Sequence, residues 1–299
     1  MIKRLYNPIT SIPMLLRSRL EEIFMWSWMV AFSLLIVGRG FPPLRPSIMI
    51  IFSMVLVLGS VYFYNDVIDV EMDVLNVIKR NRPIPSKRVS REDAMKISYL
   101  FGIVGLTIAY LVNISTFVLV STFLILFFIY SYPSIRLKTK LLGKDITIFL
   151  GWPLCGQIAS YAVSNSFSPQ ALYASLLVGI FTFAGGPVVN ESPDLLEDKE
   201  SGVKSLSTFL NWERKVQLMI VGILIVMALS SYSFIKNGVS SIIPILSIGI
   251  GLALLWLILP ITKNYNKDNI IKAKRICEFW LISFQILIIV SSLQTPFNF

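Results

Sequence analysis

Two acidic segments carry the residue types and spacings from which chemistry can be built. The first reads Tyr64-Asn65-Asp66-Val67-Ile68-Asp69-Val70-Glu71-Met72-Asp73, and the second runs from Asn190 through Glu191, Asp194, Glu197, Asp198 and Glu200 to Gly202. On a continuous helix Asn65, Asp69 and Asp73 fall at i, i+4 and i+8, so three oxygen-bearing side chains line one face at about 6 Å per step. Asp194 and Asp198 repeat the pair, and one interval separates both Asp69 from Asp194 and Asp73 from Asp198, as in a duplicated unit. Carboxylates at this spacing repel each other and are costly to hold near hydrocarbon, so the arrangement calls for a cation. Hard oxygen ligands suit Mg²⁺, which bridges protein carboxylates to substrate phosphates; two facing half-sites would take a diphosphate between them. Basic side chains stand nearby to meet such an anion: Arg82 after Lys79 and Arg80, and Arg136 and Lys138 after Tyr132. Glu71, Glu92, Asp93 and Glu213 read instead as solvated helix ends or partners of adjacent basic residues.

The elements that position these residues are apolar. The chain is 55% hydrophobic and 15% charged, against about a quarter charged in soluble domains, and its mean hydropathy is +0.72. A helix needs about 20 apolar residues to cross ~30 Å of hydrocarbon. Runs of that kind predict an all-α, polytopic membrane protein with nine transmembrane helices, near 23–38, 46–66, 95–113, 115–132, 146–163, 171–190, 216–235, 241–261 and 277–294. The whole chain, 1–299, reads as one such domain. Its aspartate motifs, at 65–73 and 194–202, follow the second and sixth spans. The loops 64–94 and 190–215 are expected to form a cap that excludes water.

The net charge of +10, from 27 basic and 17 acidic residues, tests that count. All lysines and arginines except Arg39, Arg45 and Lys236 fall at the amino terminus or in the even-numbered loops. The positive-inside rule then places the amino terminus and both aspartate motifs in the cytoplasm and the carboxyl terminus outside. Positive charge distributed in this way is an orientation signal that also attracts anionic lipid, and no nucleic-acid partner is expected. The chain has no histidine, which excludes imidazole acid–base catalysis and His-ligated zinc or haem. Cys155 and Cys277, in apolar surroundings, read as buried structural thiols. The six tryptophans read as interfacial anchors. Residues 1–22 lack an apolar core followed by small residues, so no removable signal peptide is expected. A transporter would place carboxylates near the bilayer midplane, and the helix centres here have none. The Asp-Gly and Ala-Arg elements of CDP-alcohol phosphotransferases are also missing.

Asn65-Asp66-x-x-Asp69-x-x-x-Asp73 followed by Asn81-Arg82-Pro83-Ile84-Pro85-Ser86 resembles the first signature of the UbiA superfamily of intramembrane prenyltransferases. Asp194-x-x-x-Asp198-x-x-x-Gly202 with Ser205-Leu206 resembles the second. The likeness covers nearly the whole chain and implies Mg²⁺-dependent transfer of an isoprenoid from a prenyl diphosphate to an aromatic or lipid acceptor, with release of diphosphate. It implies Mg²⁺ ligation by Asn65 and Asp69 and by Asp194 and Asp198, with Asp66 and Asp73 in support. Tyr132 and Arg136 are similar to a Tyr-x-x-x-Lys element of the family, with arginine for lysine. Lys87 stands where many members have glycine, and Glu191 where some have other polar residues. Tyr62, Phe63, Tyr64, Phe128, Tyr130 and Tyr132 are the aromatics available to stabilise an allylic cation.

Overall fold

The computed structural model describes residues 8–76, 79–189, 203–236 and 242–293. Its helices are α1 (Pro8–Ser18), α2 (Leu20–Val37), α3 (Leu44–Ile68), α4 (Val70–Leu75), α5 (Arg91–Val112), α6 (Ile114–Ser131), α7 (Gly143–Ser164), α8 (Pro169–Val189), α9 (Leu206–Phe209), α10 (Trp212–Lys236), α11 (Ile242–Thr262) and α12 (Lys267–Ser292). Among the described residues nine helices have 18 residues or more, each overlapping one of the nine runs expected from hydropathy. Eight are long and apolar enough to cross a membrane, α10 being the ninth helix. The chain is a multi-pass membrane protein. The narrow break between α5 and α6 is made by Asn113, whose side chain accepts from Thr116 N at 2.8 Å and caps the second helix.

Each long helix packs on its neighbour in sequence, and α12 returns to α2 to close the bundle. Hydrocarbon outside the bundle is as apolar as its side chains, so helix association relies on close packing and on polar contacts between helices. Ser53 and Ser98 donate across the α3–α5 seam to the carbonyls of Gly105 and Ser60, both at 2.7 Å. Trp28 Nε1 donates to the Gln285 amide oxygen at 2.8 Å and joins α2 to α12. Cys155 and Cys277 are buried free thiols.

The tryptophans do not all sit at interfaces. Trp26, Trp152 and Trp280 are buried inside the bundle. Trp26 stacks on Trp152 with centroids 4.2 Å apart, meets Phe123 and Phe127 edge-on, and donates Nε1 to the Tyr62 hydroxyl at 3.0 Å. The polar N–H that would have drawn Trp26 to the lipid head groups is satisfied by a partner on α3.

Residues 69–76 and 79–90 form a compact unit at one end of the bundle. Val70, Ile84 and Val89 make a small apolar cluster with Leu15 of α1, Phe63 of α3 and Ala94, Ile97 and Phe101 of α5. Pro83 O accepts from both Arg88 N and Val89 N, and Lys87 takes φ +59° in the turn. That left-handed conformation accounts for a glycine serving well at position 87.

Candidate functional site

The first acidic segment does not continue as one straight helix. Asp69 ends α3 with φ −92° and ψ 1°, and α4 starts at Val70. The expected stripe of Asn65, Asp69 and Asp73 therefore splits into two groups, each held by different cations.

One group contains Asp66 and Asp73. Arg19, just ahead of α2, grips Asp66 through two nitrogens: Nε to Oδ2 at 3.1 Å and Nη2 to Oδ1 in a short contact. The Arg19 guanidinium also donates to Glu22 at 2.7 Å and lies 5.3 Å from the centre of the Tyr62 ring. Arg82 Nη1 lies 3.4 Å from Asp66 Oδ1 and 3.0 Å from Asp73 Oδ2, so it joins α3 to α4. Burial pushes the Asp73 carboxyl above the usual carboxylate range; Arg82 opposes that shift and Asp66 adds to it.

The other group is centred on Asp69. Its Oδ1 accepts from Arg136 Nη2 at 3.1 Å, and its Oδ2 accepts from Lys138 Nζ in a short contact and from Asn65 Nδ2 at 3.0 Å. Asn65 Nδ2 also donates to Ser131 Oγ on α6 at 2.8 Å, which leaves the amide carbonyl oxygen for another partner. Burial pushes the Lys138 ammonium below the usual lysine range, against the attraction of Asp69. Arg136 sits at φ 45° and ψ 61°, a left-handed conformation held by its N–H donating to Tyr132 O at 2.7 Å and its carbonyl accepting from Thr139 N at 2.9 Å. A non-glycine residue there carries strain of about 1–3 kcal/mol. Its Nε is buried with no hydrogen-bond partner among the described residues, a donor available to an anion.

The structure thus brings together Asn65, Asp66, Asp69, Asp73, Arg82, Arg136 and Lys138. Tyr132 supplies its backbone carbonyl to the Arg136 turn, while its ring is exposed. Asp194, Asp198 and Glu191 lie outside the described residues. Among the described residues no three acidic side chains gather as a metal cluster, because Asp66 and Asp73 turn toward Arg82 and Asp69 turns toward Lys138. The donor set nonetheless suits a hard cation: an amide oxygen and carboxylates whose charge is balanced by arginine and lysine. Glu71 and Glu92 pair with Arg91 and Lys96 on the exposed surface, as solvated helix ends do.

Arg19 is the site residue that sequence reasoning missed. A basic residue before an apolar helix reads as an orientation signal, and only the fold shows that it is buried against α3. A signal was available in Asp66, a carboxylate on an otherwise apolar helix that needs a partner.

A bundle of membrane-crossing helices carries, at one end, largely buried carboxylates each paired with arginine or lysine. The chain belongs to the UbiA prenyltransferase family, whose model matches residues 25–283; it is a prenyltransferase. It is 27% identical over 255 residues, 84% of this chain and 87% of the relative, to the digeranylgeranylglyceryl phosphate synthase of Sulfurisphaera tokodaii. Its fold is similar to a solved structure of digeranylgeranylglyceryl phosphate synthase (TM-score 0.72, 18% identity, covering 95% of this chain and 99% of that one). It is also similar to a UbiA homologue from Archaeoglobus fulgidus bound to DMAPP and Mg²⁺ (TM-score 0.66, 18% identity, covering 92% and 99%). Membership of a prenyltransferase family sets aside the transporter and phosphotransferase readings.

Proposed function

We propose that this chain transfers an isoprenoid from a prenyl diphosphate to a glycerophosphate-type lipid acceptor in a Mg²⁺-dependent reaction at the cytoplasmic face. The observation that carries the reading is Asp69 held between Arg136 and Lys138 beside Asn65, a set of groups matched to a metal-bound diphosphate.

Asn65 and Asp69 would hold one Mg²⁺ and Asp194 and Asp198 another. A metal held there would supply positive charge to offset that of the departing diphosphate. Lys138 and Arg136 present their N–H groups to the outer phosphate oxygens, with the free Nε of Arg136 among the donors. Arg82 balances Asp66 and Asp73 and keeps their charge from opposing the anion. With the leaving group stabilised, the allylic C–O bond ionises with its electron pair going to the diphosphate, and the acceptor hydroxyl oxygen attacks the electron-poor carbon and gives up its proton to the released diphosphate. Tyr62 lies one helical turn before Asp66 on α3, with the Arg19 guanidinium against its ring. The unit at 69–90 keeps water from the cation. The glycerophosphate acceptor is supported by the Sulfurisphaera tokodaii relative, named for making digeranylgeranylglyceryl phosphate. The cytoplasmic orientation rests on the placement of basic residues, and a ninth span formed by α10 is consistent with it.

The test is to incubate purified protein with Mg²⁺, prenyl diphosphates of graded length and separate acceptors, a glycerophosphate lipid and an aromatic acid among them. Products are identified by mass. Prenylation of the lipid supports the reading, and prenylation of the aromatic acid alone overturns the acceptor assignment.

A further inference from the structure

Ser131 ends α6 inside the bundle, 0% exposed, and its hydroxyl meets another helix. Other buried serines here turn the hydroxyl back on the carbonyl one turn earlier in their own helix: Ser33 donates to Met29 O at 3.0 Å and Ser175 to Ala171 O at 2.6 Å. Ser131 Oγ instead accepts from the Asn65 amide of α3 at 2.8 Å. Beside this contact the α3–α6 seam is closed by Tyr64 stacked on Phe128, with ring centroids 4.7 Å apart.

The neighbours of Asn65 decide which end of its amide faces which way. Asp69 Oδ2 lies 3.0 Å from it, and a carboxylate paired with arginine and lysine can only accept, so the atom toward Asp69 is the amide nitrogen. One N–H of that nitrogen is used there, and the other meets Ser131. With both N–H groups occupied, the amide plane is fixed, and with it the place of the carbonyl oxygen. Without Ser131 a single hydrogen bond remains, about which the amide can swing.

The same short stretch of chain holds the next residue of the half-site. Beyond Ser131 the chain turns, and Arg136 and Lys138 reach the two oxygens of Asp69. Residues 131–138 thus grip Asn65 and Asp69, one helical turn apart on α3, at three points. Arg136 and Lys138 bring charge to the site. Ser131 brings none, and what its hydroxyl fixes is the direction of a neutral oxygen. We propose that Ser131 is a positioning residue that acts through Asn65, keeping the amide oxygen available to Mg²⁺. This inference rests on the reading of Asn65 and Asp69 as metal ligands. A contact that orients a metal ligand from behind costs about 10–100-fold in metal affinity when removed.

The experiment titrates Mg²⁺ into purified protein in detergent with geranyl thiolodiphosphate and follows thermal stabilisation. It compares wild type with Ser131→Ala, Ser131→Cys, Asn65→Ala and the double variant Asn65→Ala with Ser131→Ala. Both single Ser131 variants are expected to need about tenfold or more Mg²⁺ for half-saturation, and Ser131→Ala to add nothing in the Asn65→Ala background. Ser131→Cys keeps the volume at this position while sulfur accepts hydrogen bonds weakly, so a wild-type curve for it assigns the contact to packing and overturns the proposal. Wild-type curves in both Ser131 variants, with or without earlier melting of the unliganded protein, overturn it as well. So does an equal shift from Ser131→Ala with and without Asn65. If Asn65→Ala leaves no Mg²⁺ response, the comparison of Ser131→Cys with wild type decides. A wild type that Mg²⁺ and the analogue fail to stabilise, or an Asn65→Ala protein with the wild-type curve, contradicts instead the reading of Asn65 as a metal ligand.

Discussion

Arg19 and Asp66, 47 residues apart in sequence, meet as a two-point ion pair in which the Arg19 side chain is 6% and the Asp66 side chain 1% exposed. Removing one partner of such a pair strands a buried charge and costs about 3–5 kcal/mol, whereas replacing both by apolar groups is far milder. Arg19→Met should therefore lower the melting temperature sharply, and Arg19→Met with Asp66→Leu should recover much of it. Thermal melting in detergent checks this; equal losses in the single and double variants would contradict the pairing.

Lys138 is held below the usual lysine range by burial, so its proton leaves at lower pH than that of a free lysine, whose pKa is about 10.4. As pH rises through that lowered value, the ammonium is lost, and with it both the Asp69 contact and the charge facing diphosphate. The alkaline limb of the activity profile should fall below the ordinary lysine range. Lys138→Arg, which stays protonated, should move that limb upward. Identical limbs in the two proteins would exclude Lys138 as the titrating group.

Two glycines separate packing from open space. A Cβ at Gly151 would lie 2.6 Å from the Trp26 ring and 2.9 Å from Phe127, so Gly151→Ala should destabilise by about 1–3 kcal/mol. At Gly186 a Cβ would meet no described atom within 4 Å, and Gly186→Ala should be tolerated. Melting temperatures of the two variants decide this, and equal effects would refute the distinction.

The expected orientation is testable by cysteine labelling in a background without Cys155 and Cys277. Arg80→Cys, in the exposed part of the 69–90 unit, should resist an impermeant reagent applied to intact cells. Phe41→Cys, 90% exposed at the opposite end of the bundle, should react. Labelling at 80 from outside would reverse the topology.

The helices were legible because span length and apolar content are set by the bilayer, and each hydropathy run overlaps a helix. The acidic and basic site residues were legible because charges are rare in such a chain and their spacing stands out. The bend at Asp69 was not: no glycine or proline marks it, and the i, i+4 spacing runs through unbroken. Arg19 was hidden among basic residues that serve as orientation signals, since its burial depends on Asp66, a partner distant in sequence. Trp26 was misplaced for the same reason, its N–H being satisfied by Tyr62.

The central claim is that Asp69 and Asp198 belong to one Mg²⁺-dependent prenyl transfer site, and its most direct test is product formation by purified wild type, Asp69→Ala and Asp198→Ala. The measurement is the mass-resolved yield of prenylated glycerophosphate lipid with Mg²⁺ and with EDTA. Wild type should form product only with Mg²⁺, and both variants should fold yet lose at least about 10²-fold in turnover. Undiminished turnover in either variant, or product formed in EDTA, would contradict the account.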